Sequence, residues 1–213
     1  MKTIVFDLDG TLVDTIYDIA YSMNQSLKEH GFNTHPVEKY LTFIGEGVIL
    51  LTKRAIGVEV DDDILNSVLN RYNEIYKDHC MNLSKIFPNM LFVLDELIKK
   101  GYKLAVISNK PDFDTQRIIK HYFNDRFMYV AGSKDGVARK PDPMAMLYFL
   151  KEYNLKIEDV IYVGDSQFDA MFAINCGCEY FLFEYGYASK ESIHKFNPKA
   201  FLDEAQELLK FFV

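Results

Sequence analysis

Cysteine and low-complexity sequence are both scarce in this chain, and their scarcity excludes two classes of protein. Only three cysteines occur among 213 residues. This low, odd number does not support a disulfide scaffold and is typical of a reducing compartment. Cys176 and Cys178 form a C-x-C pair with no second pair, so we interpret them as small buried residues rather than zinc ligands. Low-complexity runs are absent and aromatic residues make up 15%, which argues against a disordered chain.

Long apolar runs and an excess of basic charge are also missing. No apolar run approaches the length of a transmembrane helix, and "MKTIVF" does not extend into the apolar region of a signal peptide. We therefore expect a soluble, cytoplasmic protein with no membrane partner. Lys and Arg number 24 against 31 Asp and Glu, which gives a net charge of −7. This acidic balance does not indicate a nucleic-acid partner, although a local cluster of basic side chains can still bind an anion.

The order of the apolar patterns predicts an α/β fold. A short buried strand at Thr3–Phe6 is followed by about 70 residues of helical periodicity, and strands then alternate with helices. The later strands are apolar on both faces, which is typical of a parallel sheet covered by helices. We predict a doubly wound, Rossmann-like parallel sheet with an all-helical insertion after its first strand. The predicted domains are an α/β core at 1–13 and 84–213 and a helical insertion at 14–83.

Helix signals refine this outline at two places. Apolar residues recur at steps of three and four after Asp14, and Gly31 stands where this helix is expected to end. We interpret Asp14 as the N-terminal cap of this helix. The stretch "DEAQELLKFF", residues 203–212, predicts the last helix of the chain.

Polar residues follow four of the predicted strands. In open parallel α/β sheets, ligands bind beyond the carboxyl ends of the strands, so these residues are expected to meet at one edge. The clusters are Asp7-Leu8-Asp9-Gly10-Thr11, Ser108-Asn109-Lys110-Pro111, the loop "GSKDGVARKPDP" with Lys140, and Gly164-Asp165-Ser166-Gln167-Phe168-Asp169.

The composition of these clusters predicts a magnesium site beside an anion pocket. Crowded carboxylates repel one another unless a cation lies among them, and carboxylate oxygens suit Mg²⁺. Asp7 and Asp165 are natural direct ligands. Lys140, with Ser108, Asn109 and loop amides, would bind an anion. Mg²⁺ next to an anion pocket indicates phosphoryl transfer.

The spacing of Asp7 and Asp9 suggests that one carboxylate acts as a nucleophile and the other transfers protons. Residues two apart in an extended segment point the same way. One carboxylate can attack phosphorus to form an aspartyl-phosphate, while the other protonates the leaving alkoxide and later deprotonates a water. We expect Gly10 and Thr11 to let the backbone approach the phosphate. Lys110, by contrast, is interpreted as a solvated surface residue.

These clusters resemble the four motifs of the haloacid dehalogenase-like hydrolases. The first motif of that family, D-x-D-G-T-[LV]-x-[DS], is matched by "DLDGTLVD". The second, a strand that ends in Ser or Thr, is matched by "VISNK", and the third, which carries a lysine, by "RKPDP". The fourth, G-D-[ST]-x-x-D, is matched by "VGDSQFDAMFA". The motifs occur in order, and the resemblance covers the whole chain.

The resemblance implies a role for each matched residue. Asp7 would be the nucleophile, Asp9 the general acid and base, and Lys140 the residue that holds both the nucleophile and the phosphate. The remaining implied roles are phosphoryl binding by Ser108 and Asn109, Mg²⁺ binding by Asp165 with Asp7 and the Asp9 carbonyl, and support of the metal site or of Lys140 by Ser166 and Asp169.

The resemblance also implies a subclass. Dehalogenases of this family lack the second aspartate, so Asp9 favours a phosphatase or a phosphomutase. The helical insertion resembles the cap of the phosphoglycolate phosphatase-like branch. We therefore expect Mg²⁺-dependent hydrolysis of a small phosphorylated metabolite such as phosphoglycolate, by a monomer or homodimer. The alternatives are a β-phosphoglucomutase-like mutase, an inorganic pyrophosphatase, and a phospho-accepting receiver module. A receiver is disfavoured because its nucleophile follows a later strand and its length is near half of this chain.

Overall fold

Strands and helices alternate along the chain in a computed structural model that describes residues 2–212. The strands are β1 Thr3–Phe6, β2 Val13–Asp14, β3 Lys85–Ile86, β4 Lys103–Pro111, β5 Tyr129–Ser133, β6 Val160–Gly164, β7 Glu179–Phe183 and β8 Phe201–Leu202. The α-helices are α1 Ile16–Glu29, α2 Val37–Tyr40, α3 Val48–Ile56, α4 Asp62–His79, α5 Met90–Lys99, α6 Asp112–Phe123, α7 Met144–Tyr153, α8 Gln167–Cys176 and α9 Lys190–Ile193. Two 3₁₀-helices cover Ile157–Asp159 and Ala205–Phe211.

A six-stranded parallel sheet in the order β5-β4-β1-β6-β7-β8 forms the centre of the core. The first strand is central, because Phe6 is in register with Val106 of β4 and Val163 of β6. All four residues of β1 are buried, as expected for a strand covered on both faces. The parallel α/β fold predicted from the sequence is confirmed.

One prediction about an individual element was wrong. Asp14 does not cap α1, because Thr15 occupies the N-cap position and Asp14 lies in β2, where it accepts a hydrogen bond from the Tyr187 hydroxyl at 2.8 Å. The predicted last helix is present as a 3₁₀-helix, a form that apolar periodicity does not distinguish from an α-helix in so short a segment. Strand β8 was not predicted, since its two residues are too few to show a pattern.

The chain divides into two compact units, one of residues 2–14 with 86–212 and the other of Thr15–Lys85. The second unit contains α1 to α4, and Ser26 of α1 donates a hydrogen bond to the Val68 carbonyl of α4 at 2.7 Å. Its buried Asp18 accepts hydrogen bonds from the backbone N–H groups of Leu83 at 3.0 Å and Ser84 at 2.8 Å, which fixes the segment that follows α4. Between residues 2 and 212, no helix is both long and apolar enough to cross a membrane.

Candidate active site

The carboxyl ends of three neighbouring strands bring the predicted site residues to one edge of the sheet. Asp7 follows β1, and its backbone N–H donates to the Val163 carbonyl of β6 at 2.9 Å. Ser108 lies near the end of β4, and Asp165 follows β6. Because β1 lies between β4 and β6, the nucleophile predicted from the sequence stands at the centre of this edge.

A buried lysine joins two of these carboxylates. The Nζ atom of Lys140 lies 2.9 Å from Asp7 Oδ1 and 2.7 Å from Asp169 Oδ1, and it donates to the Tyr162 hydroxyl at 2.9 Å. Burial alone would lower the pKa of Lys140, but the charges of Asp169 and Asp7 outweigh it, so its pKa is raised. The ammonium group therefore stays charged in an environment that is almost closed to water.

Asp169 is occupied by donors on both oxygens. Its Oδ1 accepts from Lys140 and from the Tyr162 hydroxyl at 2.8 Å, and its Oδ2 accepts from the Ser166 hydroxyl at 2.6 Å and the Asp165 N–H at 3.2 Å. Burial would raise the pKa of Asp169, but Lys140 and these hydrogen bonds hold it below its ordinary value. Ser166 also completes a capping box with Asp169 at the start of α8. The structure thus places Ser166 and Asp169 where they support Lys140.

Asp7, Asp165 and Asp169 are crowded enough to favour a cation. One carboxylate oxygen from each lies within 4.8 Å of the other two. Burial, with the charges of Asp169 and Asp9, raises the pKa of Asp7 to about 6 although Lys140 opposes the shift. Burial, with the charges of Asp169 and Asp7, also raises the pKa of Asp165. Oxygen donors with excess negative charge suit Mg²⁺, and the residues present therefore fit this ion.

Gly10 and Thr11 make contacts other than those predicted. The N–H groups of Gly10 and Thr11 donate within the turn, to the carbonyls of Val13 at 3.0 Å and Leu8 at 3.3 Å, and the Thr11 hydroxyl donates to Asp165 Oδ1 at 2.7 Å. These bonds do not support phosphate binding by either residue. Gly10 has a φ of +85°, and a Cβ there would lie 2.4 Å from Asp165 Oδ2. The glycine is needed because Asp165 approaches the backbone closely.

The Asn109 side chain also bonds to the protein. Its Oδ1 accepts from the Lys140 N–H at 2.8 Å and its Nδ2 donates to the Lys140 carbonyl at 3.0 Å. Asn109 therefore fixes the backbone of Lys140, a contact that does not support its predicted phosphoryl binding. Ser108 is buried beside it, and its Oγ accepts from the Lys110 N–H at 3.3 Å.

Lys110 is not a solvated surface residue, and that interpretation was wrong. Its side chain is 4% exposed, and its Nζ lies 3.0 and 3.1 Å from the two carboxylate oxygens of Asp9. A signal was available in the sequence. Lys110 stands two residues after Ser108 in an extended strand, so both side chains point to the same face.

Three tyrosines also reach the site without having been predicted. Tyr162 contacts Lys140 from β6. In the loop after β7, the Tyr185 hydroxyl donates to the Thr11 carbonyl at 2.9 Å, and the Tyr187 N–H donates to Asp165 Oδ2 at 2.8 Å. A tyrosine within a buried apolar strand needs a partner for its hydroxyl, and this requirement could have indicated from the sequence that Tyr162 contacts a polar site residue.

A parallel α/β sheet that gathers buried carboxylates and a lysine at its carboxyl edge has a candidate site for a cation and an anionic ligand at the place where such sheets bind their ligands. Residues 4–183 match the family model described as haloacid dehalogenase-like hydrolase. The chain belongs to this family, and the resemblance inferred from its four motifs is confirmed.

Curated relatives and a solved structure place it more narrowly. It is 34% identical to the phosphoglycolate phosphatase of Haemophilus influenzae (strain 86-028NP), over 98% of this chain and 96% of the relative. It is 32% identical to that of Pasteurella multocida (strain Pm70), over 98% and 96%. A predicted phosphoglycolate phosphatase from Haemophilus somnus 129pt superposes with a TM-score of 0.93 at 30% identity, covering 99% of this chain and 97% of the other. The protein is therefore a phosphoric monoester hydrolase.

Proposed function

We propose that this phosphatase is Mg²⁺-dependent and hydrolyses a small phosphorylated metabolite through an aspartyl-phosphate on Asp7. The observation that carries the proposal is the buried contact of Lys140 with Asp7 and Asp169, at 2.9 and 2.7 Å. Phosphoglycolate is the first substrate to test, because the relatives that cover the whole chain are phosphoglycolate phosphatases.

Asp7 attacks phosphorus from a fixed position. Its N–H is bonded to the Val163 carbonyl, and Lys140 holds its carboxylate in one orientation and offsets charge on the phosphoryl oxygens. Mg²⁺ held by Asp7, Asp165 and the Asp9 carbonyl would neutralise further charge on the transferring group. Asp169 also contacts Lys140 Nζ, at 2.7 Å, and keeps it in place.

Asp9 moves the protons. As the bond from phosphorus to the leaving oxygen breaks, the carboxyl group of Asp9 protonates that oxygen. The carboxylate of Asp9 then takes a proton from a water, which attacks the aspartyl-phosphate and releases phosphate from Asp7. The position of Asp9 two residues after Asp7 in the same segment supports this role.

The helical unit Thr15–Lys85 is assigned as the cap that selects the substrate. Its place in the chain, directly after the first motif, supports this assignment. A panel of phosphorylated metabolites assayed with Mg²⁺ identifies the preferred substrate. Substitutions in this helical unit should then change KM for that substrate more than they change the rate of p-nitrophenyl phosphate hydrolysis.

The decisive experiment replaces Asp7 with Asn. With p-nitrophenyl phosphate and Mg²⁺, we expect turnover to fall to the background rate while the variant remains folded. The matched control is Asp203→Asn, which removes an exposed carboxylate paired with Lys190 and should leave turnover unchanged. Undiminished turnover by Asp7→Asn would refute the mechanism. Isomerisation of glucose 1-phosphate without phosphate release, or preference for pyrophosphate, would instead support the mutase or the pyrophosphatase.

A further inference from the structure

We propose that Lys110 is a positioning residue that fixes the carboxyl group of Asp9 for proton transfer to the leaving group. The inference rests on the proposed function, because it assigns Asp9 the proton transfer. It concerns a residue outside the set that the sequence motifs assign to the reaction.

The contact between Lys110 and Asp9 defines the orientation of the carboxyl group. Lys110 Nζ is almost equidistant from both oxygens, at 3.0 and 3.1 Å. A cation in this position restrains rotation of the carboxyl group about its terminal bond, which is otherwise broad and weakly restrained. The lysine side chain is 4% exposed and that of Asp9 is 21% exposed, so Lys110 is shielded from water while Asp9 remains partly exposed.

The backbone of Lys110 is itself held firmly. Its N–H donates to the Ser108 hydroxyl at 3.3 Å, and its carbonyl accepts from the Thr115 hydroxyl at 3.2 Å. Gly132 of β5 packs directly against this segment, since a Cβ there would lie 2.6 Å from the Lys110 carbonyl oxygen and 2.5 Å from Asp112 Cα. The ammonium group of Lys110 is thus carried on a rigid part of the sheet edge.

A second carboxylate shares the charge of Lys110. Asp114, in the first turn of α6, has its pKa raised by burial and lowered by Lys110 and Arg117, with a net rise. The charge of Asp9 also raises the pKa of Asp114, so without Lys110 these two carboxylates would repel each other more strongly, with Arg117 at 4.0 Å from Asp114. Loss of the lysine should therefore let Asp9 turn away from Asp114 and out of its productive orientation.

The position of Asp9 matters most when the leaving oxygen needs a proton. An alkoxide must be protonated as the bond to phosphorus breaks. Asp9 begins this step as the carboxylic acid, with the proton on one oxygen and the contact with Lys110 on the other, and it ends as the carboxylate paired with Lys110, while the electron pair of the broken bond ends in an O–H bond. The p-nitrophenolate anion is stable and leaves without the proton. A misplaced Asp9 should therefore slow release of an alcohol far more than release of p-nitrophenolate.

The test compares p-nitrobenzyl phosphate with p-nitrophenyl phosphate in the presence of Mg²⁺. The two substrates have the same charge and a similar shape, but only the first releases an alkoxide. The value of kcat/KM covers steps up to release of the leaving group, so the later hydrolysis of the aspartyl-phosphate does not enter. The ratio of the two kcat/KM values is also independent of the fraction of enzyme that is folded, which keeps the test valid for a destabilised variant.

For Lys110→Met we expect kcat/KM to fall about 10- to 100-fold with p-nitrobenzyl phosphate and less than about 3-fold with p-nitrophenyl phosphate, since general acid catalysis contributes about 10²- to 10⁴-fold. Lys110→Arg should restore much of the loss. Asp9→Asn should show the same dependence on the leaving group, and adding Lys110→Met to it should cause little further change. The control, Lys134→Met, removes an exposed lysine that pairs with Asp112 at 3.2 Å and should leave both rates unaltered.

Three results would overturn the proposal. Equal losses with both substrates, or no loss with either, would show that Lys110 does not act through proton transfer by Asp9. A loss confined to phosphoglycolate, with both nitroaromatic substrates unaffected, would show that Lys110 binds the substrate carboxylate instead. None of these results would affect the role of Asp7, which the Asp7→Asn variant tests separately.

Discussion

Removal of one hydroxyl group, by Tyr162→Phe, should weaken both the fold and the reaction. The Tyr162 hydroxyl is fully buried, donates to Asp169 Oδ1 at 2.8 Å and accepts from Lys140 Nζ at 2.9 Å. Burial, with the charges of Asp169 and Asp7, raises the pKa of Tyr162 well above its ordinary value, so the hydroxyl keeps its proton. Its ring packs edge-on against Phe172 at 5.1 Å between centroids, a contact that phenylalanine preserves.

The expected magnitude follows from what remains after the change. A hydrogen bond to a charged group contributes about 1.5–3 kcal/mol, and the variant loses two of them. Lys140 and Asp169 nevertheless keep their own contact at 2.7 Å, so neither charge is left alone. We expect a net loss of about 2 kcal/mol in the free energy of unfolding, or a fall in Tm of roughly 4–8 °C for a chain of this size.

Urea denaturation and initial rates measure both effects. We expect kcat to fall about 3- to 10-fold, because small misplacements near reacting atoms are costly, while KM changes less. The control is Tyr153→Phe, which removes a hydroxyl that donates to the Met128 carbonyl at 2.8 Å. It should cost about 1 kcal/mol and leave kcat unchanged. A Tyr162→Phe variant as stable and as active as the parent would refute the view that this hydroxyl positions Lys140.

Two further changes test the turn after β1 and the surface beyond β7. In Gly10→Ala the new Cβ would lie 2.4 Å from Asp165 Oδ2, so we expect the variant to be destabilised by about 1–3 kcal/mol. Mg²⁺ should also raise its Tm less than it raises that of the parent. An equal effect of Mg²⁺ on both proteins in thermal melts would contradict this. Hydrogen bonds, first among them that from Lys190, lower the pKa of Glu184 from 4.5 to about 2, so its stabilisation is present above pH 4.5 and is lost as the pH falls towards 2. Glu184→Gln should therefore lose about 1 kcal/mol of stability at pH 7, and its Tm should approach that of the parent near pH 2. In the control, Glu179→Gln, the change removes an exposed ion pair, and the Tm should equal that of the parent at every pH.

The sheet could be predicted from the sequence because its strands carry an unambiguous pattern. Val5, Ala105 and Tyr162 belong to strands that are apolar on both faces, and all three are buried in one core cluster. Residues that follow such strands must reach the carboxyl edge whatever the details of packing. For this reason the meeting of Asp7 and Asp165 at one place could be expected from their positions alone.

Partner choice within the site could not be predicted in the same way. Thr11 and Asn109 stand where phosphate-binding residues were expected, yet their side chains bond to Asp165 and to the backbone of Lys140. Lys110 was expected in solvent and is paired with Asp9. The partners of Thr11 and Asn109 depend on differences of a few ångströms between strand ends, which residue type and spacing do not encode. The side on which Lys110 lies, by contrast, could have been inferred from its spacing of two residues from Ser108.

The central position of β1 has a consequence for how the site can be assembled. Thr3 pairs with Lys103 on one side and Val160 on the other, so the first strand cannot pair until residues much later in the chain have been synthesised. The loop that secures Thr11 and Asp165 comes later still, at Tyr185 and Tyr187. During synthesis, a ribosome must therefore have released most of the α/β core before Asp7 acquires its surroundings. Folding that depends on such distant pairings is slow, and nascent chains that end before Tyr185 should expose the acidic turn without forming the site.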